Sequence, residues 1–236
     1  MNSNRLLLPV GIGLGVALFA VSLGSSKQSI PKVNPSGMKD LDPSIDPWGP
    51  ARHATGDFPP PDPALVGNPN LPEIVEALRE LEAWLKSQPG VPSSNWSARE
   101  ITTMPKAPGQ PVAVPPRSLW ANMVSTLKIF ARIRAQMGVP LSLRGYRPLD
   151  YDRAVGGAKN STHTYFNALD IRATSPDDKR KLALIGAREY LDNPDEKIGL
   201  GVYGPTTPSN IHIDSGWRRR TWANSQDWIK KAQGTT

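Results

Sequence analysis

The chain has three histidines in 236 residues, and two of them stand at short range from a carboxylate. Ser161 to Asp170 reads STHTYFNALD, and Asn210 to Gly216 reads NIHIDSG. His163, Asp170 and His212 make up a nitrogen–oxygen–nitrogen set. Three such protein ligands, with a fourth position open to water, are what a catalytic zinc takes. The chain has no cysteine, which excludes disulfides and a thiolate metal site. Spacing alone does not decide the matter, because a lone H-x-D on a strand is more often a surface pair than a site.

The elements that must position these residues can be read locally. Asn167 to Arg172 alternates polar and apolar residues and contains the β-branched Ile171, which is a short strand. His163 precedes it in a turn-like segment after Gly156-Gly157. A turn followed by a strand can bring a histidine and a carboxylate to one metal. In Ile211-His212-Ile213-Asp214 side chains alternate across a strand. His212 and Asp214 then share one face, and Ile211 and Ile213 enter the core.

The wider context carries more. Gly145-Tyr146-Arg147 is followed by Val155-Gly156-Gly157-Ala158, then Ser161, His163, Ala168 and Asp170. Gly199, Gly201 and Tyr203 come next, then His212, Asp214, Gly216, Arg220 and Trp222. In this order, over about a third of the chain, the sequence resembles the zinc D-alanyl-D-alanine carboxypeptidase and L-alanyl-D-glutamate endopeptidase family. That family shares its fold with the hedgehog signalling domain. The resemblance implies zinc on His163, Asp170 and His212, and an Arg147 that binds the substrate carbonyl or carboxylate and stabilises an oxyanion. It also implies peptidoglycan peptides as substrate. Ser161 reads as a hydrogen-bond partner behind the ligands. Four positions depart from the family pattern: Arg144 stands for Ser, Phe166 for Gly, Asn210 for an aromatic, and Ser209 where many relatives carry an acidic general base. Asp214 is then the base expected here, because it shares the face of His212.

Upstream, Leu6 to Leu23 runs eighteen residues without a charge, the minimum for a membrane span. Residues 1–26 are expected to be an N-terminal transmembrane anchor or signal segment, and the proline-rich residues 27–70 a linker. Residues 71–236 then form the peptidase-like domain, with its motif core at 141–222. Leu71 to Ser87 and Ser118 to Met137 have apolar residues at helical spacing, and Gly138 ends the second. Ser175-Pro176-Asp177-Asp178 is a helix start running to about Leu191. Leu141 to Leu143 and Gly199 to Tyr203 read as strands. Residues 90–116, 148–160 and 204–209 read as loops.

From Pro115 onward there are 19 basic and 11 acidic residues, within an overall net charge of +7. Nucleic acid is one partner for such a surface, but cell-wall polymers and membranes are anionic too. The arginine–tryptophan tail also matches the ending of the peptidase family, which puts nucleic acid behind. The expectation is an α+β fold, a small antiparallel sheet carrying zinc with helices packed on it. Its function is to hydrolyse D-amino-acid-containing bonds of peptidoglycan outside the cytoplasm or from a virion membrane. Two alternatives remain: a membrane-tethered binding module of the same fold, and a phage virion or lysis protein using the same chemistry. The bond cut, the owner, the oligomeric state and the metal beyond zinc stay open.

Overall fold

The computed structural model describes residues 64–158, 161–216 and 218–234. The expected span at residues 6–23 lies outside these. Among the described residues no helix is long and apolar enough to cross a membrane.

Two sheets and six helices form the described part of the chain. Strands β1 (Leu65–Gly67) and β2 (Val112–Val114) pair antiparallel as a two-stranded sheet. Leu65–Gly67 falls inside the stretch expected to be linker, yet it is hydrogen-bonded to β2. The larger sheet contains β3 (Ser142–Arg144), β4 (Ala168–Arg172), β5 (Gly199–Val202), β6 (Ile211–Asp214) and β7 (Arg220–Ala223). Its order is β3-β4-β6-β5-β7. The expectation of α+β holds, with a correction. The small antiparallel sheet carries no site residue, and the sheet that does is mixed, since β7 runs parallel to β5.

The helices are α1 (Pro72–Lys86), α2 (Ala98–Thr102), α3 (Trp120–Met137), α4 (Leu149–Ala154), α5 (Pro176–Asp192) and α6 (Ser225–Ala232). Helix α1 buries Ile74, Leu78, Leu81 and Leu85, as its spacing requires. Ser175 caps α5, its Oγ accepting from the Asp178 N–H at 3.0 Å. Gly138 ends α3 in the left-handed conformation. Ile171, Ile211, Ile213 and Leu200 are buried, so one face of the larger sheet packs into the core and leaves the other for chemistry.

Helices α2 and α4 fall in stretches expected to be loops. Helix α2 covers the outer edge of the sheet. Ile101 O accepts from Gly145 N at 3.0 Å and from Tyr146 N at 2.8 Å, and a Glu100 carboxylate oxygen accepts from Leu143 N at 2.8 Å. Helix α3 is tied to the ends of β4 and β6. Thr126 Oγ1 donates to Asn167 O at 3.0 Å, and Ser215 Oγ donates to Asn167 Oδ1 at 2.6 Å.

Phe166, which stands where the family has glycine, has φ +54° and ψ +43°. The turn does need a left-handed residue, and phenylalanine meets the need under strain. Its backbone N–H closes the turn on His163 O at 3.2 Å. Its ring is fully buried and meets Tyr146 edge-on at 5.8 Å. Restoring glycine would relieve about 1–3 kcal/mol of strain but would remove a buried ring worth about 3–5 kcal/mol. Packing outweighs strain, so Phe166→Gly is expected to lose about 2 kcal/mol of stability. Phe166→Ala, which keeps most of the strain, should lose more. Urea midpoints of the two variants test this, and a glycine variant as stable as the parent would overturn it.

Candidate metal centre

The site is a row across the larger sheet. Arg144 on β3 faces Asp170 on β4, Asp170 faces His212 on β6, His212 faces Gly201 on β5, and Gly201 faces Trp222 on β7. Cross-strand partners share a face, so this register alone brings Asp170 and His212 side by side. His163 arrives from the 3-10 turn Thr162–Tyr165, which Phe166 closes.

Three donor atoms converge. His163 Nε2 lies 3.1 Å from His212 Nδ1, and Asp170 Oδ1 lies 3.2 Å from His212 Nδ1 and 3.4 Å from His163 Nε2. All three residues are buried. The opposite ring nitrogens are engaged: His163 Nδ1 donates to Gly145 O at 2.6 Å, and His212 Nε2 donates to Asp214 Oδ2 at 3.1 Å. These bonds select the tautomers whose lone pairs face one another and the carboxylate. Three converging lone pairs repel unless a cation sits among them. Tetrahedral zinc with bonds near 2.05 Å sets its ligands about 3.3 Å apart, and the observed spacings agree. The donor set therefore fits a metal ion, and the fourth direction opens on a cavity of about 770 Å³.

In the metal-free protein the two imidazoles are pushed in opposite directions. Burial would lower the pKa of His212, but hydrogen bonds to Asp170 and Asp214 outweigh it and hold the imidazole above its ordinary value. Burial pulls His163 down. Burial raises Asp170, yet its interactions with His163 and then His212 leave it well below the usual carboxylate range. His212 thus stabilises the metal-free fold below about pH 6.5, and loses that contribution as pH rises through its raised pKa. Asp170 contributes above the ordinary aspartate range and loses its share as pH falls through its lowered pKa. Metal uptake near neutrality is expected to release up to one proton per chain, fewer as pH rises. Calorimetry in two buffers of different ionisation enthalpy reads that number, and no release at any pH would contradict the protonated His212.

Asp214 requires a correction. It shares the face of His212 as expected, but its carboxylate sits on Nε2, the nitrogen turned away from the other ligands. It is fully buried and does not line the cavity. Oδ2 also accepts from Arg220 Nη2 at 2.8 Å, and Oδ1 from Gly216 N at 2.9 Å. A carboxylate so enclosed cannot reach a water in the cavity, so it orients the ligand rather than acting as base.

Glycines make room for this arrangement. A Cβ at Gly199 would lie 2.4 Å from Asp214 Oδ2, and one at Gly201 2.6 Å from the Trp222 indole. The indole in turn meets the His212 ring at 4.9 Å. The spacing of the two glycines is thus the space that the supporting residues occupy.

Arg147 donates to Asp170 Oδ2 and, at 3.4 Å, to Asp152 Oδ1. Ser161 Oγ donates to Asp152 Oδ1 at 3.3 Å rather than to a metal-facing residue. Asp152 was missed in the sequence because α4 was not foreseen. It is buried, and a Cβ at Gly157 would overlap its carboxylate at 1.9 Å. A polar residue one helical turn before Gly-Gly was the signal available. Tyr203 lines the cavity and accepts from Trp222 Nε1 at 2.9 Å, leaving its own hydroxyl proton free to donate.

A model of the family Peptidase M15 matches residues 95–214, just over half of the chain. The chain belongs to the peptidase M15 family. M15 members are metallopeptidases, and the His163–Asp170–His212 cluster is where this member can hold its metal. The M15 match begins ahead of α2, so the helix covering the sheet edge is part of the family unit. No curated protein matches the chain significantly.

Proposed function

We propose that this M15 member is a zinc peptidase that cuts D-amino-acid-containing peptide bonds of peptidoglycan. The observation that carries the reading is the buried triangle of His163 Nε2, Asp170 Oδ1 and His212 Nδ1, with sides of 3.1–3.4 Å and one open direction. Bound zinc would supply a Lewis acid and lower the pKa of its water to about 7. The protein's own residues do the rest. Gly145 O and Asp214 fix the two imidazoles, and Arg147 fixes the second oxygen of Asp170. A guanidinium has five N–H donors, so Arg147 retains donors for a substrate carbonyl oxygen at the cavity wall. The Tyr203 hydroxyl can donate to the same oxygen as it gains charge.

The apolar stretch at 6–23 would anchor the chain in a membrane, and the proline-rich 27–70 would hold the domain out towards the wall. The domain would then work outside the cytoplasm or from a virion membrane. Fractionation of the expressed full chain tests this, and recovery in the soluble fraction uncleaved would remove the anchor.

One observation favours a second reading, a wall- or partner-binding module that keeps the metal. Among the described residues lining the cavity, Asp170 is the one carboxylate, and Ser209 stands where many relatives have an acid. A digest of purified peptidoglycan separates the two readings. New peptide ends seen by mass spectrometry, lost with a chelator, establish the peptidase and name the bond. Zinc bound at one per chain with no new ends establishes the module for this substrate.

A further inference from the structure

Tyr203 is fastened beside the metal centre by side chains that follow it in the chain. Strand β7 runs parallel to β5 and sets Trp222 opposite Gly201, which is itself opposite His212. Gly201 has no side chain, so the indole lies over it and meets the His212 ring. The Arg220 guanidinium, bound to Asp214, lies over the indole at 5.2 Å. From this clamped position Trp222 Nε1 donates to the Tyr203 hydroxyl oxygen at 2.9 Å. The backbone beyond Tyr203 is held by the same segment. Gly204 N donates to Asn224 Oδ1 at 3.1 Å, and Trp228 Nε1 donates to Gly204 O at 2.9 Å. Tyr203 is nonetheless 41% exposed and lines the cavity with Arg147, Asp170 and His212. A ring so exposed adds little to the core, so what the fastening fixes is the cavity wall.

The direction of the Trp222–Tyr203 bond is forced, because an indole N–H can only donate. A phenol has one proton and two lone pairs. One lone pair is taken by Trp222, and among the described residues the proton has no acceptor. Burial raises the pKa of Tyr203, so the hydroxyl keeps its proton at neutral pH. The charges of Asp170 and Arg147 both act on it, as they do on a group close to the metal ligands. We infer that Trp222 is a positioning residue, which fixes the Tyr203 hydroxyl as a donor to the substrate oxygen that gains charge. This rests on the peptidase reading and adds the residue that aims the donor. A donor held in place before the charge develops costs no reorganisation when it does.

The test is binding of acetohydroxamate, a zinc ligand that presents an anionic oxygen, to the zinc-loaded full chain. Calorimetry reads the affinity, so turnover plays no part. Tyr203→Phe removes the donor and should weaken binding about tenfold, the worth of one hydrogen bond to a charged oxygen. Trp222→Phe keeps a ring beside His212 and removes the N–H. It should weaken acetohydroxamate by a comparable factor, while its zinc affinity, read by competitive titration, stays that of the wild type. The double variant should bind no more weakly than Tyr203→Phe, because two groups that act through one bond are not additive. Trp84→Phe on α1, a matched change elsewhere, should bind as the wild type does. Far-UV melting confirms that each variant folds. With soluble peptidoglycan fragments the Tyr203 and Trp222 variants should lower kcat and leave KM unchanged. Four results overturn the inference: no loss in Tyr203→Phe, a full further loss from Trp222→Phe when Tyr203 is already absent, weakened zinc binding in Trp222→Phe, or no binding by the wild type. The expected binding pattern with no fragment cleaved by the wild type would instead remove the peptidase reading and leave the donor and its positioning residue standing.

Discussion

His163→Ala is expected to abolish metal uptake and turnover together. The substitution removes one of three donor atoms that lie 3.1–3.4 Å apart. Two ligands on adjacent strands remain, Asp170 and His212, and two make a poor site where three protein ligands are the rule. The same change leaves Gly145 O, the acceptor of His163 Nδ1, without that donor. An unsatisfied buried carbonyl costs about 1–3 kcal/mol, so some stability should go as well. Melting with zinc and with chelator separates the two effects. The wild type should melt higher with zinc, and the variant should melt at one temperature in both. A variant that still holds one zinc per chain would contradict the assignment of His163.

The second large effect belongs to Asp214. Asp214→Ala takes away the fully buried carboxylate that Arg220, His212 and the Gly216 N–H share. Breaking a buried charge pair from one side costs about 3–5 kcal/mol, and a cavity is added here. Asp214→Asn keeps the volume and one acceptor but loses the charge. It should fold, and bind zinc about 10–100-fold more weakly, because a ligand's outer partner sets its orientation and basicity. Urea midpoints and competitive zinc titration measure the two quantities. Full zinc affinity in the asparagine variant would remove the orienting role. A bell-shaped pH profile that lost its acidic limb only in this variant would restore Asp214 as the base.

The cluster of His163, Asp170 and His212 was legible in the sequence because its geometry is local. Alternation on β4 and β6 decides which side chains share a face, and two short strands suffice to place Asp170 and His212. Helices α1, α3 and α5 were legible for a similar reason, each having a continuous apolar stripe or a capping pattern. What stayed hidden depends on distant partners. Helix α2 spans five residues, too few for a periodicity, and stands because Ile101 O and Glu100 bind the edge of β3. Asp152 reads as a surface acid on a loop until α4 turns it under Gly157 against Arg147 and Ser161. Asp214 shows the limit of reasoning by faces. The alternation was right, but which imidazole nitrogen the carboxylate meets depends on Arg220 and on the room left by Gly199.

The order β3-β4-β6-β5-β7 has a consequence for biosynthesis. Strand β6 is made after β5 but lies between β4 and β5. Until residues 211–214 leave the ribosome, β4 and β5 have no strand between them, and the third ligand does not exist. A nascent chain can therefore carry His163 and Asp170 and still be inert. Insertion of β6 would join β4 to β5 and bring the third donor to the metal centre in one step. An enzyme of this kind stays harmless until late in its synthesis, when β6 is in place and β7 and α6 follow behind it.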